Sequence, residues 1–151
     1  MWYNAVMDFT DILKPGLEAQ KTETVTEKNI ASAWGSGGLS VYATPAMIAL
    51  MESAAFQAVG PFLPPGWSTV GTELRVKHIC ATAKGRKVFA RAELVLVDDR
   101  ALSFKVEAFD EMGKIGEGVH DRRIVEKDKF LAKVMSRSLV KPETQQKEDQ
   151  A

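Results

Sequence analysis

"YATPAMIALMESAAFQAVGPFLPPGW", residues 42–67, predicts one long helix that is apolar on nearly every face. Thr44 is a suitable N-cap and Pro45 suits the first helical position. The periodic part extends to about Val59, after which a Gly-Pro pair ends the helix. A helix that is apolar all round must be covered all round, so the remaining chain has to supply that cover.

After Trp67 the hydrophobic period changes from 3.6 to 2, which indicates antiparallel strands with one buried face each. Four strands are predicted in "STVGTELRVKHICA", "KVFARAELVLV", "ALSFKVEAFD" and "IGEGVHDRRIV". The predicted inward residues are Val70, Thr72, Leu74, Val76, His78 and Cys80 in the first strand, Val88, Ala90, Ala92, Leu94 and Leu96 in the second, and Leu102, Phe104, Val106 and Ala108 in the third. A short helix at about 126–136 follows.

Upstream of the long helix, "LEAQKTETVTE" predicts an edge strand and "KNIASAWGSGG" an irregular lid. Together these elements predict an α+β hotdog fold, in which a curved antiparallel sheet is wrapped around a central helix. One side of the helix packs on the sheet. The other side requires either the N-terminal segment or a second subunit.

The whole chain of 151 residues fits one domain, predicted at 1–140, with a polar tail at 141–151 that is predicted to be disordered. Twenty basic and twenty acidic residues cancel, so no global field attracts nucleic acid or an anionic membrane.

Cys80 is the single cysteine, which excludes an internal disulfide and a multi-cysteine zinc site and favours a reducing, cytoplasmic compartment. The N-terminus lacks the pattern of a signal peptide. Polar and helix-breaking residues interrupt the apolar stretch 43–63, which therefore indicates a buried helix rather than a membrane span.

Glu52 is the one charged residue between Tyr42 and Thr72. Its neighbours three and four positions away on the helix are all apolar: Ile48, Ala49, Ala55 and Phe56. Burying an unpaired carboxylate is costly, so the position favours a role in proton transfer or nucleophilic attack. The structural alternative is a carboxylate that reaches water at a helix edge or bonds a backbone group.

Three further residues are candidates for the same site. His78 is in phase with the inward face and is either an acid/base partner of Glu52 or a core histidine bonded to a carbonyl. Thr44 either caps the helix or orients a reacting group beside the helix dipole. Gly71 either marks a β-bulge or lets the backbone approach a ligand with its N–H as donor.

The motifs "ATPAMIALMESAA", "VGTELRVKH" and "GEGVHDRRIVEKDKF" resemble the hotdog-fold acyl-CoA thioesterases of the fluoroacetyl-CoA thioesterase type, over about residues 40–134. The resemblance implies that Thr44, Glu52 and His78 are catalytic, that the Gly71 backbone contacts the acyl group, and that Arg122 lies near the substrate. The fluoroacetate-specific enzyme has aromatic residues just before the threonine, whereas this chain has "GSGGLSVYA", so selectivity for fluoroacetyl-CoA is not implied.

The implied reaction is hydrolysis of a small or medium acyl-CoA thioester by a homodimer whose sites lie near the subunit interface. Glu52 either attacks the carbonyl or activates water, and the sequence does not separate these routes. No metal or bound cofactor is needed, because CoA is part of the substrate. Two alternatives stay open: a non-catalytic acyl-CoA or lipid-binding module, and a hotdog enoyl-CoA hydratase or dehydratase.

Overall fold

The computed structural model describes residues 7–139, in which five antiparallel strands form a curved sheet around one long helix. The strands are β1 Glu18–Thr24, β2 Trp67–His78, β3 Lys87–Asp98, β4 Ala101–Asp110 and β5 Gly113–Glu126. The helices are α1 Ala31–Trp34, α2 Thr44–Val59 and α3 Lys127–Ser138, with short 3-10 turns at Phe9–Asp11 and Gly60–Phe62. The order in the sheet is β1-β3-β4-β5-β2, so β1 and β2 are its edges. The predicted hotdog fold is confirmed.

The central helix α2 owes its position to burial of small and apolar side chains against the sheet. Eight of its sixteen residues are buried, namely Ala46, Met47, Leu50, Met51, Ala54, Ala55, Ala58 and Val59. The N-terminal segment supplies further cover, because Phe9 and Leu13 are buried in the same core. Each fully buried leucine or phenylalanine side chain stabilises the fold by about 1.5–3 kcal/mol. Phe56 stays 46% exposed, so the cover of α2 is incomplete there.

A β-bulge in β2 overturns part of the predicted inward face. The pairing with β5 advances from Gly71 directly to Glu73, which leaves Thr72 as an extra residue. An extra residue reverses the alternation of faces. Thr69 is therefore buried, whereas Thr72 is exposed and Val70 only half-buried. The predictions of Val70 and Thr72 as inward residues were wrong for this reason.

A second register shift, between Leu94 and Leu96, has the same consequence in β3. Leu96 is 56% exposed, and Val97 packs against the core in its place. The prediction for β4 is confirmed, since Leu102, Phe104, Val106 and Ala108 are all buried there. Cys80 lies beyond the end of β2 and is exposed, so its assignment to the core was wrong.

The remaining elements follow the prediction closely. β1 pairs with β3 at the sheet edge, and α3 extends over Lys127–Ser138 rather than 126–136. Among the helices of residues 7–139, none combines the length and hydropathy that crossing a membrane requires. The predicted tail at 141–151 lies outside the described residues, and the single domain at 1–140 stays a prediction.

Candidate active site

Glu52 projects from the middle of α2 toward the junction of β2 and β5. Its Oε2 lies 3.5 Å from Arg122 Nη1 and 4.0 Å from His120 Nε2. The side chain is 38% exposed, so water reaches it. The cation that the helical segment lacks is therefore supplied by β5, more than sixty residues further along the chain. The carboxylate is both paired and accessible.

Arg122 is buried and held by four polar contacts. Its Nε donates to Thr69 Oγ1 at 2.9 Å and its Nη2 donates to the Thr69 carbonyl at 3.0 Å. Its Nη1 lies 3.1 Å from His120 Nε2 and within 3.5 Å of Glu52. Burial lowers the pKa of Arg122 from its ordinary value, and the Glu52 carboxylate opposes that shift. Since a guanidinium stays charged in proteins, a fixed cation sits beside Glu52.

Gly71 lies opposite Arg122 in the pairing of β2 with β5, at the start of the bulge. A Cβ at this position would stand 2.6 Å from Glu52 Oε2 and 3.2 Å from His120 Cε1. The absence of a side chain, and not an unusual φ angle, is what matters here, because a Cβ would displace the Glu52 carboxylate. The β-bulge predicted at Gly71 is confirmed, and the glycine brings the backbone against the Glu52 carboxylate, whereas its contact with a ligand stays a prediction.

His120 is a site residue that the sequence reasoning missed. Its imidazole is fully buried, with Nδ1 2.9 Å from the Glu73 carbonyl oxygen. Gly116 and Gly118, which precede it in β5, obscured the alternation and left its orientation open. Counting back in steps of two from the buried Ile124 would have placed Arg122 and His120 on the inward face.

Thr44 and His78 form a second cluster at the start of α2. Thr44 is the first helical residue and Ala43 is the N-cap, so the prediction that Thr44 caps the helix was wrong. Its hydroxyl instead lies 2.8 Å from His78 Nδ1. Within residues 7–139, His78 Nε2 is buried without a hydrogen-bond partner. Burial lowers the pKa of His78, and a backbone hydrogen bond with Cys80 opposes the shift.

An open cavity of about 240 Å³ adjoins this second cluster. Its lining is formed by Ala31, Ser36, Val41, Tyr42, Thr44, His78, Ile79, Cys80 and Ala81. The segment 35–40, "GSGGLS", borders it without an aromatic side chain. The cavity is therefore open beside the Thr44 hydroxyl and the His78 ring.

The five residues predicted for one site thus occupy two clusters of this chain. The imidazole beside Glu52 belongs to His120, whereas the expected partner, His78, contacts Thr44. Thr44 and Glu52 are eight positions apart on α2, which corresponds to about 12 Å along the helix axis. Along β2, Gly71 and His78 are roughly 20 Å apart. Within a single chain, the predicted pairing of His78 with Glu52 was therefore wrong.

The Glu52 cluster has the parts of a hydrolytic site. The Glu52 carboxylate is available as nucleophile or base, and the buried Arg122 guanidinium can stabilise negative charge. Gly71 has no side chain and so leaves room for a substrate carbonyl. Residues 7–139 contain no group of three or more His, Cys, Asp or Glu residues arranged to hold a metal ion.

Comparisons with known proteins bear on this chemistry. Residues 25–128 match the model of the fluoroacetyl-CoA-specific thioesterase family. The chain belongs to this family. A fluoroacetyl-CoA thioesterase from Streptantibioticus cattleyicolor is 42% identical over 98 residues, which are 65% of this chain and 70% of that protein.

Solved structures agree with the family. A structure of the fluoroacetyl-CoA thioesterase has a TM-score of 0.77 and 33% identity, covering 82% of this thioesterase and 96% of that chain. A hot-dog-like protein from Thermanaerovibrio acidaminovorans, at 21% identity and a TM-score of 0.79, covers 87% of this chain and 97% of its own, and supports the fold alone. The predicted hotdog-fold thioester hydrolase is confirmed.

Proposed function

We propose that this thioesterase hydrolyses a small or medium acyl-CoA thioester to the free acid and CoA, with Glu52 as the reacting carboxylate. The observation that carries the proposal is the approach of Glu52 to the Gly71 backbone, where a Cβ would stand 2.6 Å from Oε2. A thioester carbonyl placed over Gly71 would lie within reach of both the carboxylate and the backbone N–H. Arg122 keeps a positive charge beside the carboxylate throughout.

Two chemical routes to hydrolysis are open to Glu52. Glu52 attacks the carbonyl, the C–S bond breaks, CoA leaves as the thiolate and takes a proton, and water then cleaves the resulting anhydride. Alternatively Glu52 takes a proton from water, the hydroxide adds to the carbonyl, and the thiolate departs. In both routes Thr44 orients the reacting group and His78 moves a proton. Water is the only co-reactant, and no metal or cofactor enters the proposal.

The acyl group in this proposal is not restricted to fluoroacetyl. The segment before Thr44 carries only Trp34 and Tyr42 as aromatic residues, and Trp34 is 45% exposed while Tyr42 is buried. Neither residue of the Gly37-Gly38 pair can cover a substrate. The open cavity beside Thr44 supports acyl groups larger than two carbons.

The proposal is tested by release of free thiol from a panel of acyl-CoA esters of increasing length. We expect catalytic turnover with at least one small or medium ester. Saturable binding of the esters without thiol release would contradict the proposal and identify a binding module.

We also propose a homodimer in which the two clusters of different chains form each site. β2 is a sheet edge, so its outer side is available for antiparallel pairing with a second copy. Pairing centred near Arg75 would set Glu73 opposite the partner's Lys77, a favourable cross-strand charge pair. The same register would bring the partner's His78 next to the Gly71 bulge. The separation of Thr44 and His78 from Glu52 in one chain supports this arrangement.

Mixed dimers test the shared site. Glu52→Gln and His78→Ala protomers, each inactive alone, are unfolded together, refolded at equal concentrations and assayed for thiol release. Half of randomly formed dimers are mixed, and each has one intact site of two, so we expect about a quarter of the wild-type activity. Activity that stays at the level of the separate variants would contradict the shared site and place each site within one chain.

A cytoplasmic location is part of the proposal. Its support is the single cysteine, Cys80, which is a free and exposed thiol.

A further inference from the structure

His120 is a buried imidazole to which the proposed reaction assigns no role. It lies on β5, directly opposite Leu74 of β2 and Phe104 of β4. Its two ring nitrogens contact two different parts of the Glu52 cluster, with Nδ1 2.9 Å from the Glu73 carbonyl and Nε2 3.1 Å from Arg122 Nη1. The ring thus joins the bulge of β2 to the guanidinium that pairs with Glu52.

These two contacts fix the protonation state of the ring. A carbonyl oxygen only accepts hydrogen bonds, so Nδ1 carries the proton and donates to Glu73. A guanidinium only donates, so Nε2 is unprotonated and accepts from Arg122. His120 is therefore the neutral Nδ1–H tautomer. A proton added at Nε2 would face the Arg122 N–H and break that hydrogen bond.

We propose that His120 is a positioning residue that locks the Gly71–Glu73 bulge and the Arg122 guanidinium into the geometry that Glu52 requires. The bulge carries the backbone over which the thioester carbonyl is placed, and Arg122 holds the carboxylate. His120 acts on the substrate through both and does not touch it. This inference rests on the proposed role of Glu52.

The groups that face His120 explain why the neutral form is favoured. Burial is the largest influence and lowers the pKa of His120 from its ordinary value of 6.5. The Glu73 carbonyl raises it, Arg122 on β5 lowers it, and the carboxylates of Glu52 on α2 and Asp121 on β5 raise it. Phe104 on β4 contributes a neutral ring with its centroid 6.3 Å away. The Arg122 guanidinium, which contacts the ring, therefore opposes its protonation.

The pH dependence has a definite sign. Because the folded-state pKa is lowered, the unfolded chain takes up a proton near pH 6.5 while the folded protein does not. The contribution of the neutral His120 ring to the free energy of unfolding is fully present above pH 6.5. It decreases as the pH falls toward the lowered pKa. When His120 does become protonated, Arg122 loses its acceptor and kcat should decrease with it.

Nitrogen-15 NMR tests the tautomer directly, without any activity. The chain has two histidines, so a His78→Ala variant leaves His120 as the only imidazole. At neutral pH we expect a protonated Nδ1 and an unprotonated Nε2, persisting in a titration to below pH 6.5. An Nε2–H tautomer or a charged ring at neutral pH would overturn the inference.

Two substitutions test the positioning role by kinetics. His120→Gln can keep an acceptor near Arg122, and His120→Asn can keep a donor to Glu73, so each retains one contact. We expect kcat to fall about 10–100-fold in each, with KM within about threefold, because a small misplacement of reacting groups acts on the chemical step. In the wild type, kcat should decrease at low pH as His120 becomes protonated. This decrease should be absent from the pH profiles of both variants.

Controls separate this inference from the proposed function. Thr82→Val removes another buried hydrogen bond, from Thr82 Oγ1 to Asp110, without a contact in the Glu52 cluster, and should lower stability but not kcat. If folded His120 variants keep wild-type kcat and pH profile while Glu52→Gln is inactive, the positioning role alone is wrong. If Glu52→Gln is active, the proposed role of Glu52 fails.

Discussion

Glu52→Gln should lower kcat for acyl-CoA hydrolysis by about 10²–10⁴-fold, the range that general acid–base catalysis by a positioned side chain contributes. The amide has nearly the same shape as the carboxylate, and its oxygen can still accept from Arg122. It neither attacks a thioester nor removes a proton from water. The measurement is thiol release under saturating substrate, using an ester on which the wild type turns over.

The control for this prediction is a second paired carboxylate of the same sheet. Glu107 on β4 is 14% exposed and lies 2.8 Å from Lys114, far along the strand from Arg122. A hydrogen bond from Lys114 lowers the pKa of Glu107, and burial opposes that shift. Glu107→Gln should therefore change stability slightly and leave kcat unchanged. A folded Glu52→Gln protein with a rate within twofold of the wild type would contradict the role of Glu52.

Pre-steady-state release of thiol by the wild type separates the two chemical routes. An anhydride intermediate produces a burst of one thiol per site before steady-state release, provided that its hydrolysis is the slower step. Direct attack by water produces no burst. The burst should be absent from Glu52→Gln in either case.

The architecture was predictable from the sequence because its signals are local. The apolar helix from Thr44 to Val59 and the alternating strands after Trp67 follow from side-chain periodicity alone. The bulge of β2 was one of two readings that Gly71 allowed, but the orientation reversal that it causes was not predicted, and the bulge between Leu94 and Leu96 has no signature in an alternating pattern. The orientation errors at Val70, Thr72 and Leu96 all come from those two insertions.

The chemistry of the site was predictable only in part. Glu52 was evident because a lone carboxylate in an apolar helix is costly to bury. The resemblance implied Arg122 near the substrate, but the pairing of Arg122 and His120 with Glu52 was not evident, because contacts between distant strands have no local signal. The two readings of Thr44 could not be separated because its hydroxyl can bond either the helix or a strand, and only the fold brings His78 within 2.8 Å.

Gly71→Ala should reduce kcat about 10²-fold while costing little stability. The added Cβ would stand 2.6 Å from Glu52 Oε2, 3.2 Å from His120 Cε1 and 3.5 Å from Arg122 Nη1, so the carboxylate has to move away from the bulge and the imidazole has to shift by a few tenths of an ångström. The carboxylate is the end of a flexible, 38% exposed side chain and can shift without disturbing the core. A displacement of about 1 Å is enough for a 10²-fold loss in rate.

The measurement that assigns this loss to Glu52 is a double-mutant cycle. If the methyl group of Gly71→Ala acts by displacing the carboxylate, it should have little further effect on kcat in the Glu52→Gln background, because the residues share one interaction. Independent effects that multiply would show instead that Gly71 acts through its own backbone N–H on the substrate. Gly60→Ala, where a Cβ meets nothing within 4 Å, serves as the matched control and should leave both kcat and stability unchanged.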